Sequence, residues 1–135
     1  MIRYSCSLEG ITEKMLEGFF VGWPSPPSPE IHLKILRQSD FFILAVDDHS
    51  SRVVGFINAV SDRIMAAYIP LLEVLPEYKR RGIGLELTRR VIDHYRNLYM
   101  IDLICDVKTQ PFYEKCGMRK MTGMMVRNSD RQSCV

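Results

Sequence analysis

A run of three cations meets two glycines at Lys79-Arg80-Arg81-Gly82-Ile83-Gly84. Ahead of it, an apolar run from Ile69 to Leu75 ends at Pro76. Behind it, Leu85, Leu87, Val91, Ile92 and Tyr95 recur near helical spacing. The pattern therefore reads as a strand running into a glycine turn that opens a helix. The first turn of a helix has backbone N–H groups without intrahelical partners and carries partial positive charge. Glycine lets an anion approach that backbone without a Cβ in the way. Three neighbouring cations favour a polyphosphate, so the chemistry indicated is binding of a phosphorylated cofactor. A P-loop is excluded, because Gly84 is followed by Leu85-Glu86 and not by Lys-Ser/Thr. A dinucleotide fold is disfavoured, because Leu87 stands where the third glycine should be and an alternating strand–helix series is lacking.

The segment resembles the acyl-CoA loop of the GCN5-related N-acetyltransferases (GNAT), whose pattern is Q/R-x-x-G-x-G/A. Lys79 takes the Gln/Arg position, keeping a cation without arginine's rigid fork. A second motif supports the first. Residues 111–118, PFYEKCGM, resemble the family's F/L-Y-E-K-x-G-F helix, with Met118 in place of the usual Phe. FFILAV and RVVGFINAV are similar to the family's central hairpin. The resemblance covers residues 30 to 127. It implies an α/β fold with a mixed, twisted central sheet flanked by helices on both faces. It further implies transfer of an acetyl group from acetyl-CoA to a primary amine, and direct attack in a ternary complex is expected because no residue stands out as an activated covalent nucleophile.

Carried onto this chain, the resemblance lays the pyrophosphate on N–H groups of Arg80, Arg81, Gly82, Ile83, Gly84 and Leu85, with Lys79 nearby. The pantetheine arm would add to the strand at Leu72 to Val74, with a backbone N–H near Val74 stabilising the oxyanion. Asp106 stands where the family frequently has an Asn near the cofactor, and helix capping explains it equally well. Tyr113 is the expected proton donor to the departing thiolate, against the alternative of a tyrosine packed on the sheet. A base or water chain is needed, because an amine of pKa near 10.4 is neutral in only about 0.04% of molecules at pH 7. Glu73 is the only carboxylate in this strand. Strict alternation would set it on the face opposite Tyr68, Pro70, Leu72 and Val74. Tyr68, in register with the family's usual base position, could orient a water instead. Phe19, Phe20 and Trp23, before a loop with four prolines, are candidates for the acceptor pocket.

The elements that must position these groups read as follows. Ile2 to Cys6 is an edge strand. Thr12 to Phe20 is a helix capped by Thr12. Ser28 caps a further helix that Pro29 begins. Phe41 to Val46 and Val53 to Val60 are strands joined by a turn at 47–52. Met65 to Leu75 is one long strand feeding the glycine loop. Leu98 to Cys105 is the next strand, Thr109 to Cys116 a short helix, and Arg119 to Arg127 a final strand. The polar tail from residue 128 frays.

One domain, 1–135, is the expectation for this length. A net charge of +2 is too small to indicate nucleic acid, and only Tyr78 adjoins the basic run. The four cysteines form no C-x-x-C pair, which argues against zinc and fits reduced thiols in a cytoplasmic protein. Cys105 is expected as a small core hydrophobe. His32, His49 and His94 have no partners by spacing and are expected at the surface; no metal site is indicated. No apolar run is long enough for a bilayer. A homodimer is left open. The alternatives are a non-catalytic acyl-CoA-binding regulatory module and a basic nucleic-acid-binding domain.

Overall fold

The computed structural model describes all residues 1–135. Its strands are β1 (Ile2–Ser5), β2 (Phe41–Asp47), β3 (Arg52–Ser61), β4 (Ala66–Tyr68), β5 (Leu72–Val74) and β6 (Met100–Asp102). Its helices are α1 (Pro29–Gln38), α2 (Ile83–His94) and α3 (Gln110–Glu114). The strands form one mixed sheet in the order β1-β2-β3-β4-β6, with β5 also paired to β3. All pairings are antiparallel except β4 with β6. α1 packs on one face, where His32 meets Phe56. α2 packs on the other, where a Cβ on Gly55 would meet Ile83 and Leu87. The mixed α/β architecture with helices on both faces is therefore present.

α1 begins as its sequence dictates. Ser28 accepts a bond from Ile31 N at 3.2 Å, and Pro29, which has no N–H to lose, opens the helix. The expected helix over Thr12–Phe20 shrinks to a 3-10 turn at Lys14–Leu16. Thr12 still accepts from Met15 N, but Glu17 is extended and Gly18 has φ +97. Those two residues turn the chain out of helical geometry after one turn.

The expected long strand from Met65 to Leu75 is split in two. Pro70 has no N–H to give to the ladder. Val60 pairs with Tyr68, whereas Phe56 pairs with Glu73, so the register slips by one residue across the break. Asn58, which is buried, fills the gap. Its N–H donates to Leu71 O (3.2 Å) and its Oδ1 accepts from Leu71 N (3.1 Å). Its Nδ2 donates to Ser39 Oγ at the end of α1 (3.0 Å). The slip also changes the facing of side chains. Val60 and Phe56 lie on one face of β3, so their partners Tyr68 and Glu73 share that face. Strict alternation had them on opposite faces.

Four more expectations give way. β6 is only Met100–Asp102, shorter than Leu98–Cys105. Residues 119–127 form no strand and make no backbone-to-backbone hydrogen bond. His32, expected at the surface, is 1% exposed among Phe19, Phe20 and Phe56. Neither of its ring nitrogens has a partner, and burial pushes its pKa down to about 4. His49 and His94 are exposed as expected, with His94 stacked on Phe41. Cys105 is half-buried and not a core residue.

Candidate active site

The basic loop is held at its entrance by a 3-10 turn over Pro76–Tyr78. The Tyr78 hydroxyl donates to Asp47 Oδ2 at 2.5 Å, tying the turn to the end of β2. That bond, with one from His49 N, holds the Asp47 carboxyl below its usual range. Arg81 lies over the Tyr78 ring at 4.9 Å. Arg80 (φ +65) and Gly82 (φ +79) take left-handed backbone, which turns the chain abruptly into α2. A Cβ on Gly82 would meet nothing within 4 Å, so the loop is open there. Gly84 is different, because a Cβ there would lie 3.3 Å from Phe112 of α3 and 3.7 Å from Val74.

The consequence for hydrogen bonding is specific. Every N–H from Arg80 to Leu85 lacks an acceptor in the protein; the first helical donor is Glu86, to Gly82 O at 3.0 Å. No side chain caps α2. Lys79, Arg80 and Arg81 are exposed and take part in no ion pair. Together these groups set six unpartnered N–H donors beside three cations that make no ion pair. Arg90 is engaged elsewhere, paired with Glu86 at 2.6 Å and lying over Tyr4, while Arg89 is exposed.

Beside the loop, β5 keeps one edge open. Asn58 N bonds Leu71 O, and Leu75 N bonds Val54 O at 2.8 Å, so the odd-numbered residues face β3. Alternation turns the amide groups of Leu72 and Val74 to the other edge, where no strand stands. β6 runs beside β4 only as far as the bond from Ile69 N to Asp102 O (3.0 Å). The sheet is thus open between β5 and the chain beyond β6. An extended amide ligand fits such an edge.

Tyr113 stands on α3, half-buried, with no hydrogen-bond partner for its hydroxyl. It lines a cavity of about 1110 Å3 whose walls also include Tyr68, Cys105 and Cys116. Burial, then the nearby Cys105 and Cys116, push its pKa up to about 12. Burial also raises the thiols of Cys105 and Cys116, which leaves neither as a ready thiolate nucleophile. Asp106 opens the 3-10 turn before α3, but its side chain caps nothing.

Glu73 reaches the α1 face, where it accepts bonds from Phe20 N (2.8 Å) and Val21 N (3.2 Å). It therefore ties the segment before the proline-rich loop to β5. Phe20 sits at φ +63, a strained conformation for an aromatic residue. Phe19 and Phe20 are core residues, 9% and 4% exposed, and only Trp23 of the three opens to solvent, at 38%. Trp23 packs edge-on against Phe20, with ring centroids 4.9 Å apart. At the far side of the loop, Gln132 Oε1 accepts from Ser25 N at 2.7 Å. The structure thus brings Glu73, Phe20 and Trp23 together on one face and sets Lys79–Leu85 and Tyr113 around α2 and α3. Asn58 and Phe112 were not foreseen. A lone Asn within the apolar run Val53–Val60 was the available signal for the first.

Comparison with known proteins agrees with this architecture. The sequence profile of the Acetyltransferase (GNAT) family matches residues 8–118. "GCN5-related N-acetyltransferase 3, chloroplastic" of Arabidopsis thaliana is 36% identical over 70 residues, 50% of this chain and 30% of that protein. "Uncharacterized N-acetyltransferase ycf52" of Porphyra purpurea is 27% identical over 74% of this chain and 59% of its own length. The chain thus spans less than two thirds of these curated relatives. Among solved structures, a Deinococcus radiodurans R1 protein named for an inferred acetyltransferase activity is 45% identical. It superposes with a TM-score of 0.95, over 98% of this chain and 92% of that one. A GNAT family acetyltransferase from Streptococcus pneumoniae TIGR4 is 28% identical, with a TM-score of 0.74, over 95% and 98%. The profile spans most of the chain and both motifs fall in register on the fold, so this chain belongs to the GNAT acetyltransferase family.

Proposed function

We propose that the protein is an N-acetyltransferase that takes acetyl-CoA as donor and a primary amine as acceptor. The observation that carries this reading is the row of unpartnered N–H groups from Arg80 to Leu85 beside three unpaired cations. Acetyl-CoA supplies an activated thioester and a pyrophosphate handle. The pyrophosphate would accept from that row, with Lys79, Arg80 and Arg81 offsetting its charge. The free amide groups of Leu72 and Val74 would pair with the pantetheine arm, and Val74 N–H would receive the charge that develops on the thioester oxygen. Asp106 lies outside this set of donors, and its contribution is a loop position beside α3.

The acceptor side is proposed at Glu73, Tyr68 and Trp23, with Phe19 and Phe20 supporting them from the core. Each carboxylate oxygen of Glu73 gives one lone pair to a backbone N–H and keeps another for an ammonium group. Glu73 would then hold the acceptor and take its proton. Tyr68, on the same face, would order the water that carries the proton away. Tyr113 would serve the leaving thiolate. With a pKa of about 12 it stays protonated at neutral pH. Full transfer to a thiolate of pKa near 8.5 would cost about 5 kcal/mol, so its role is hydrogen-bond donation. Direct attack needs no covalent enzyme intermediate, which suits two thiols held in their protonated form.

The test is release of free thiol from acetyl-CoA with a panel of amines: lysine peptides, protein amino termini, polyamines and aminoglycosides. Turnover with one acceptor class, lowered by roughly 10²-fold in Tyr113→Phe, is the expected result. CoA binding without turnover across the panel would instead assign an acyl-CoA-binding regulatory module.

A further inference from the structure

The ladder between β3 and β5 pairs Gly55 with Val74, Phe56 with Glu73 and Ile57 with Leu72, so Asn58 and Leu71 are the next pair along it. In a regular antiparallel ladder, two residues whose main-chain groups face each other exchange both hydrogen bonds. Here only one is exchanged. Asn58 N–H donates to Leu71 O (3.2 Å), but Leu71 N–H donates to the side-chain Oδ1 of Asn58 (3.1 Å) and not to its main-chain carbonyl. The side chain thus stands in for its own backbone, at the residue that follows Pro70. The other end of the amide is fixed as well. Ser39 Oγ gives its single proton to Ile35 O (2.8 Å), so toward Asn58 it can only accept, and Nδ2 is the donor it meets at 3.0 Å. That leaves Oδ1, and no N–H, facing Leu71. Asn58 is the one polar side chain in the buried stretch Val53–Ala59, where an amide is costly unless its bonds are made.

We propose that Asn58 is a positioning residue for the donor strand, its side-chain amide acting as a spacer that holds the break between β4 and β5 open and keeps the Leu72 and Val74 amides on the free edge. The inference rests on the reading of that edge as the seat of the arm of acetyl-CoA. A leucine at position 58 has a similar size but offers Leu71 N–H no acceptor, and an unmade buried bond is costly. The acceptor that a regular ladder supplies is the main-chain carbonyl of residue 58. Taking it draws Leu71 onto β3, narrows the break and turns the Leu72 amide with it. Ser39 acts one step further out. It fixes which end of the amide faces Leu71, and it ties that choice to the last turn of α1.

Calorimetry with two ligands tests this. CoA carries the arm, whereas the nucleotide half of CoA (ADP bearing the ribose phosphate) has the pyrophosphate and no arm. Asn58→Leu is expected to weaken CoA by at least about tenfold and to leave the nucleotide half within about twofold of wild type. Ser39→Ala lets the Asn58 amide turn over and should weaken CoA by about threefold, again without touching the nucleotide half. Ser39→Thr keeps the hydroxyl and should restore wild-type binding of both. The two Ser39 variants carry the test on their own if Asn58→Leu does not fold. A variant pair that binds CoA as wild type does, or that loses both ligands equally, overturns the role of Asn58 and leaves the donor site standing. A wild type that binds CoA no more tightly than its nucleotide half overturns the reading of the β5 edge and this inference with it.

Discussion

Gly84 and Phe112 meet so closely that a Cβ on the glycine would stand 3.3 Å from the phenylalanine ring. One belongs to the glycine loop and the other to the PFYEKCGM motif. Their contact joins the two motifs, because the second helps to pin the first turn of α2 beside Val74. Gly84→Ala sets a methyl 3.3 Å from that ring, so the ring must shift by a few tenths of an ångström to admit it. Phe112→Leu should relieve that pressure. A double-mutant cycle read by thermal unfolding is expected to show a coupling above about 0.5 kcal/mol. Additive effects would mean that the contact is incidental.

Tyr113→Phe keeps the ring and loses the donor. We expect kcat to fall by roughly 10²-fold while the KM for acetyl-CoA stays nearly constant. Since the phenol is pushed up to about 12, wild type should keep this contribution through pH 10. Loss occurs only as the hydroxyl ionises at higher pH. Steady-state rates across pH 7–10, compared between wild type and variant, check both points. A variant within about twofold of wild type returns Tyr113 to a packing role.

Much of this was legible in the residues and some was not. The glycine loop, α2, the central hairpin and α3 follow from local signals: caps, helical spacing and turn residues. The split between β4 and β5 was not legible, although Pro70 hinted at it. Which residue fills a break depends on Asn58, twelve positions earlier, and that pairing is tertiary. The same slip hid the shared face of Tyr68 and Glu73. The helix expected at Thr12–Phe20 stops after one turn because Glu17 is extended and Gly18 takes φ +97, a backbone state that residue type permits but does not announce. The strand expected at 119–127 has the right composition but finds no partner within the single chain.

Glu73 has two proposed duties, and two substitutions separate them. Glu73→Gln keeps an oxygen for one of the N–H groups of Phe20 and Val21 but cannot take a proton. Glu73→Ala frees both N–H groups, at a cost of about 1–3 kcal/mol. The expected outcome is a Gln variant of near-normal melting temperature whose kcat falls by about 10²-fold, and an Ala variant that loses both. If the Gln variant turns over normally, Glu73 only anchors the loop. Trp23→Ala should raise KM for the acceptor by several-fold and leave that for acetyl-CoA unchanged.

His32 makes the fold sensitive to acid. Its pKa is pushed from 6.5 down to about 4 by burial. Above pH 6.5 the imidazole is neutral in both states and adds no pH dependence. Between pH 6.5 and pH 4 the unfolded chain takes a proton that the folded chain refuses, so stability is lost as pH falls. The whole window is worth about 3 kcal/mol. Urea unfolding at pH 7.5 and pH 4.5 should show His32→Leu losing about 2–3 kcal/mol less than wild type over that interval. Equal losses would show that the imidazole is protonated in the folded protein.

The central claim is that the N–H groups from Arg80 to Leu85 hold a pyrophosphate and that the free edge of β5 holds the arm attached to it. The most direct measurement is amide-resolved nuclear magnetic resonance during titration with CoA. The account predicts the largest amide shifts at Arg80 through Leu85, with a second set at Leu72 and Val74, and saturation at one CoA per chain. Shifts confined to the exposed cations' side chains, or centred elsewhere in the sheet, would contradict it.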